Sequence, residues 1–151
     1  MKLIAHRGNI AGRLLEKENT PEYIDSAINL GYEVEVDVRE KDGSLYLGHD
    51  TPDYEVSLEW LLERRDMLWI HVKNFKALNM LISTELRIFF HEKENQTIVN
   101  NCGIIWSHDL ENYSSKSIIP LLTLEESSKA STCKQAYGIC SDYVEIIKSC
   151  L

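Results

Sequence analysis

Apolar and polar residues alternate with two different periods along the chain. Val34, Val36 and Val38 interleave with Glu33, Glu35 and Asp37, a period of two that predicts a strand with one apolar and one carboxylate face. Tyr23, Ile24, Ala27, Ile28 and Leu30 recur instead at helical spacing. Thr20-Pro21 supplies the start of that helix, as N-cap and first helical residue, and Gly31 supplies its end. Short apolar runs predict further strands at residues 3–5, 68–72, 88–90, 97–99, 103–106, 118–122 and 137–140. Asp42-Gly43 is a turn leading into a small hairpin extension at Leu45-Tyr46-Leu47. Ser57 and Asn74 each cap a helix, the first with Leu58, Leu61 and Leu62, the second with Leu78, Leu81 and Ile82. Thr123 with Glu126 forms a capping box, and residues 144–150 make an amphipathic tail.

Strands that alternate with helices indicate parallel βαβ units. Hairpin aside, there are about eight such strands, which points to a (β/α)8 barrel. The 151 residues carry no repeat and no linker, so they read as a single domain, 1–151. That is short of the roughly 200–250 residues usual for the barrel. The length is saved at residues 91–103 and 106–118, which show no helical pattern. The expected α/β fold is therefore a compact (β/α)8 TIM-type barrel with several outer helices shortened or missing. An open, doubly wound sheet is the alternative.

Composition narrows the function classes. At 44% hydrophobic and 26% charged residues, the chain has the make-up of a folded globular domain. No apolar run spans a bilayer, and the stretch at Met1–Arg7 is too short for a signal peptide, so a cytoplasmic protein without stable membrane insertion is expected. A net charge of −8 argues against a general nucleic-acid binder, which neutralises phosphates with Lys and Arg. An anionic substrate must then be held by a local cation. The four cysteines, Cys102, Cys133, Cys140 and Cys150, form no C-x-x-C pair and read as free thiols rather than a zinc site.

All five histidines fall at or just beyond strand-like runs: His6, His49, His71, His91 and His108. In a parallel barrel those carboxyl ends form the face where reactive groups converge. On the second strand the valines pack under helices, which turns Glu33, Glu35 and Asp37 inward. Buried carboxylates need compensation, and oxygen ligands suit a hard divalent ion. An internal ion-pair network with Arg7, Arg39 and Lys73 is the other way to compensate them.

His6-Arg7-Gly8, Glu18-Asn19-Thr20, Glu35-Val36-Asp37 and His49-Asp50 resemble, in order, the signature of the glycerophosphodiester phosphodiesterases. That family belongs to the phospholipase-C-like phosphodiesterase superfamily of TIM barrels. The resemblance is clearest over residues 3–74 and returns at residues 138–143, which look like the family's last strand. It implies His6 and His49 as a general acid/base pair, suited to proton exchange near neutral pH. It implies Arg7 and Lys73 as phosphate-binding groups, Arg7 through a bidentate guanidinium. Glu35 and Asp37 match two metal ligands, and Glu18 matches a residue that orients Arg7. Where the family generally has a third carboxylate ligand, this chain has His71. An imidazole there favours magnesium, manganese or a softer transition ion, with calcium less favoured. Lys17 stands where the family usually has proline.

Other residues carry two readings each. Trp106 lines the cleft or packs in the core, and His91 with Glu92 and His108 with Asp109 are supporting pairs or polar loop starts. Asp142 closes the phosphate or metal site or caps the last helix. Trp60 and Trp69 read as packing residues. The expected activity is metal-dependent hydrolysis of a small phosphodiester. The alternatives are a non-catalytic phosphate-ester-binding barrel and a lipid-headgroup phospholipase of the same superfamily; the lack of a basic amphipathic segment counts against the second. Missing outer helices expose apolar strand faces, which a homo-oligomer would cover.

Overall fold

Each predicted helix begins where its cap stands. The computed structural model describes residues 1–151 and runs β1 (Lys2–His6), α1 (Pro21–Asn29), β2 (Glu33–Lys41), β3 (Ser44–Leu47), β4 (Tyr54–Val56), α2 (Leu58–Glu63), β5 (Leu68–Val72), α3 (Phe75–Leu81), β6 (Ile88–Phe89), β7 (Gln96–Val99), β8 (Ile104–Ser107), β9 (Ser117–Pro120), α4 (Leu124–Ser128), a short 3-10 turn (Ala130–Cys133), β10 (Gly138–Ser141) and α5 (Val144–Cys150). The side chains of Thr20, Ser57, Asn74 and Thr123 each accept a hydrogen bond from a backbone N–H in the first turn of α1, α2, α3 and α4, and Thr123 with Glu126 completes a capping box. In α5 no side chain caps the first turn, which removes the capping reading of Asp142.

The ten strands form one mixed sheet. Seven of them are mutually parallel, in the order β6-β5-β2-β1-β10-β9-β8. The long β2 serves three neighbours, because its first residues pair with β1, its middle with β5 and its end, antiparallel, with β3. Asp42 and Gly43 both take positive φ in the tight β2–β3 turn, and β4 extends the hairpin by one strand that the hydrophobic pattern does not announce.

The compact (β/α)8 TIM-type barrel expected from the sequence does not form. The sheet curls into a mixed half-barrel, with five short helices and only 25% of the chain helical. The reason lies between Val99 and Ile104. A parallel crossover needs a dozen or more residues, and Asn100-Asn101-Cys102-Gly103 is far too short. Asn101 and Gly103 take positive φ (68° and 66°), so β7 and β8 pair as an antiparallel hairpin. No strand ladder joins β6 to β7; the two meet through the Asn100 N–H on the Ile88 carbonyl (2.8 Å) and the Thr97 hydroxyl on the Phe90 carbonyl (2.9 Å). With no helix outside this hairpin, Ile98 is 75% exposed.

The buried apolar residues fall into three clusters, the smallest around Ile119, Leu121, Ile139 and Ile147. Outside the curl, Val34, Val36, Val38 and Ile70 pack under Ile24 and Ala27 of α1, Leu61 of α2 and Ala77 and Leu81 of α3. Inside it, Ile4, Trp69, Phe89, Trp106, Ile118 and Cys140 fill the lower part of the concave face. The upper part, at the carboxyl ends of the parallel strands, is left polar. No helix is long and apolar enough to cross a membrane.

Candidate active site

Strand register assembles the site. His6 of β1 lies opposite Glu35 of β2, and Asp37 of β2 lies opposite His71 of β5. All five histidines, with Arg7, Glu35, Lys73, Glu92, Trp106, Pro120 and Leu122, line a single cavity of about 350 Å³. Trp106 contributes wall rather than platform, being 4% exposed and stacked on Phe89 at 4.3 Å. Asp109 does not join the site; its carboxylate accepts from the backbone N–H groups of Glu111 and Asn112 in its own loop.

Behind His6 stands Asp142, just past the end of β10. Its Oδ1 is 2.8 Å from His6 Nδ1 and 2.8 Å from the amide nitrogen of Asn9. A carboxylate only accepts, so the proton of the pair sits on Nδ1 and His6 Nε2 is left for the cavity side, 3.8 Å from Glu35 Oε2. Burial opposes charge on this ring, but the hydrogen bond to Asp142 and the carboxylate of Glu35 together raise its pKa.

Arg7 turns the chain sharply after β1, with φ of 54°, unusual for a residue with a side chain. Gly8 follows at φ 90°, where a Cβ would come within 2.8 Å of the Tyr23 ring. The turn sends the Arg7 guanidinium back over β2. Its Nη1 donates to Glu18 (3.0 Å), and its Nε lies 2.8 Å from Asp37 Oδ2 without the alignment of a hydrogen bond, so that contact is charge on charge. Glu18 itself stays behind Arg7, out of the main cavity, and also receives Asn9 and Arg13 at 3.0 Å each. Burial raises the Glu18 pKa, but the donors Arg13, Arg7 and Asn9 overcome this and lower it to about 2.

A group depressed in this way stabilises the fold above its unfolded pKa of 4.5, and the contribution is lost as pH falls through the folded value. Glu18→Gln should therefore be less stable than wild type at neutral pH, by about 2 kcal/mol after allowing for solvent screening. The gap should close between pH 4.5 and about 2. Urea unfolding of both proteins across that range checks this, and a gap independent of pH would contradict it.

Glu35, Asp37 and His71 bring one donor atom each to within 4.8 Å of one another. Glu35 Oε2, Asp37 Oδ1 and His71 Nε2 are buried with no hydrogen-bond partner. His71 Nδ1 is 3.5 Å from Asp37 Oδ1 and 3.8 Å from Glu35 Oε1, and Lys73 Nζ is 3.8 Å from Asp37 Oδ1. Burial and the neighbouring Asp37 push Glu35 up to about 7. Asp37 goes the other way: burial is outweighed by His71, Arg7 and Asn19, which hold it well below the carboxylate range. His71 is lowered by burial, and His91 is brought down to about 4 by burial and the adjoining His71 and His108. The ion-pair alternative is thus met only in part. Arg7 and Lys73 face Asp37, whereas Arg39 donates to the backbone carbonyls of Gly48 and His49. Two buried carboxylates and an imidazole that meet within 4.8 Å, each residue keeping a buried polar atom without a hydrogen-bond partner, fit a divalent cation.

His49 reaches the cavity from the loop after β3, its Nδ1 2.8 Å from Asp50 Oδ1. Gly48 allows that loop its shape, since a Cβ there would collide with the Thr51 carbonyl oxygen. Three supporting residues have no periodic signal and are missed by sequence reasoning. Asn19 gives its side-chain amide to Asp37 Oδ2 (3.0 Å) and accepts the Asp37 N–H (3.1 Å). Asn9 bridges Glu18 and Asp142, and Arg13 flanks Glu18. Asn19 stands inside the Glu18-Asn19-Thr20 block, the one hint available.

No family model, curated protein or solved structure matches the chain.

Proposed function

We propose that the protein is a metal-dependent phosphodiester hydrolase resembling the glycerophosphodiester phosphodiesterases. The observation that supports it most is the meeting of two unlike sets at one cavity: Glu35 and His71, which line it and cluster with the buried Asp37, and the histidines His6 and His49 with Arg7 beside them. Glu35, Asp37 and His71 would hold one divalent ion, magnesium or manganese before calcium, since calcium prefers more oxygen ligands than this set offers. Such an ion supplies Lewis-acid stabilisation of charge on the phosphoryl oxygens.

The chain's own groups do the rest. Arg7, fixed by Glu18, presents its guanidinium to non-bridging oxygens, and Lys73 adds a second positive charge. His6 passes protons through Nε2 because Nδ1 is committed to Asp142. His49, which lines the same cavity, is its partner, so that one ring serves the attacking oxygen and the other the departing alkoxide. Free cysteines throughout agree with a cytoplasmic setting.

Hydrolysis of a chromogenic phosphodiester, measured in chelator and then with each divalent metal restored, tests the reading. Turnover is expected to vanish in chelator and return with manganese or magnesium. Turnover indifferent to chelator, or phosphodiester binding by calorimetry without turnover under any metal, would overturn it; the second result would favour a binding protein.

A further inference from the structure

From the filled interior up to the cavity, four rings from three strands form a ladder that acid/base chemistry does not use. Trp106 of β8 lies on Phe89 of β6 (4.3 Å between ring centres, 17° between planes), and Phe89 lies beside His71 of β5 (4.8 Å, 12°). His91, two residues beyond Phe89, is stacked on the same His71 ring (4.6 Å, 5°). We propose that His91 is a positioning residue, which holds the His71 imidazole in its ligating orientation by stacking. The inference rests on the reading of Glu35, Asp37 and His71 as a metal centre, but not on the reaction carried out there.

The distances define the contact. Stacked rings sit about 3.5 Å apart, so rings on opposite faces of His71 would be separated by about 7 Å. Phe89 and His91 are 6.1 Å apart and nearly coplanar in tilt (8°). They therefore form a two-ring platform under one face of His71. Phe89 belongs there by register, being the β6 partner of His71, and His91 follows on the same face of the extended chain. The Thr97 hydroxyl holds the Phe90 carbonyl at 2.9 Å, which fixes the backbone that presents His91.

A ligating histidine is ordinarily oriented by a hydrogen bond from its second ring nitrogen. His71 Nε2 is buried and has no partner, while Nδ1 faces Asp37 and Glu35. Rotation about Cβ–Cγ is otherwise soft. A platform under the ring blocks that rotation, since turning would drive a ring edge into Phe89 or His91. His91 does not share the cluster of donor atoms within 4.8 Å, so its contribution is contact rather than ligation.

The experiment compares His91→Ala and His91→Phe with wild type, using cobalt(II) alone as probe, without substrate. Calorimetry should give a dissociation constant about tenfold weaker for His91→Ala and within about twofold of wild type for His91→Phe. The visible ligand-field band should broaden or shift in the alanine variant only, and the melting temperature without metal reports that each variant is folded. Equal affinity in all three proteins would overturn the proposal. So would equal losses in both variants, which would make His91 a ligand, or a wild type that binds no cobalt. A protein that binds cobalt in this pattern yet hydrolyses no phosphodiester would leave the positioning role standing and remove the activity.

Discussion

His6→Ala is expected to lower kcat on a chromogenic phosphodiester by about 10²–10⁴-fold, the usual worth of a positioned general acid or base. The loss should fall on kcat and kcat/KM together, because the ring acts on protons that move in the transition state. Asp142→Asn should show a smaller loss of the same kind, since an amide in that place no longer demands the Nδ1–H tautomer that leaves Nε2 for the cavity. Neither substitution removes a ligand of the Glu35–Asp37–His71 cluster, so manganese affinity should remain close to that of wild type. Steady-state kinetics and calorimetry on the same preparations check both halves. A His6→Ala protein with nearly full kcat would remove the ring from the chemistry, and one that had lost its metal as well would mean that the loss says nothing about proton transfer.

Much of what places these groups is written locally. The alternation along β2 foretells a strand with both faces committed, and Val34, Val36 and Val38 are buried opposite Glu35 and Asp37 as that pattern requires. Histidines at strand ends predict convergence, and the five rings do share one cavity. What local pattern lacks is pairing. Nothing near Asp37 says that His71 will be its neighbour across the sheet, and nothing near Asp142 says that its partner stands 136 residues earlier. The strand pattern misleads at β7, whose β-propensity run predicts another parallel unit although it pairs antiparallel with β8. The positive-φ residues Asn101 and Gly103 decide otherwise, because a four-residue link can only turn back. Asn9 and Asn19 escaped for a different reason: buried amides that satisfy carboxylates have no periodicity and are recognised only once their partners are known.

Asp37→Asn should produce the largest change in stability of any single substitution in the site. The carboxylate is fully buried and faces Arg7, Lys73, His71 and the Asn19 amide. Removing one partner of a buried ion pair leaves the other charge uncompensated, typically at a cost of 3–5 kcal/mol. Glu35 offsets part of that cost. Its pKa stands at about 7 because of burial and the Asp37 charge, so once that charge is gone it ionises more readily and faces the same cations. A net loss of about 3 kcal/mol is expected. At roughly 3 °C per kcal/mol for a domain of this size, the melting temperature should fall by about 9 °C. Metal adds a second signature. Wild type with manganese at a hundred times its dissociation constant should gain about 2.7 kcal/mol by mass action, and the variant, short of a ligand, should gain little. Thermal melts with and without manganese separate the two effects. If Asp37→Asn melts like wild type and responds equally to metal, then neither the ion-pair role nor the ligand role of Asp37 holds.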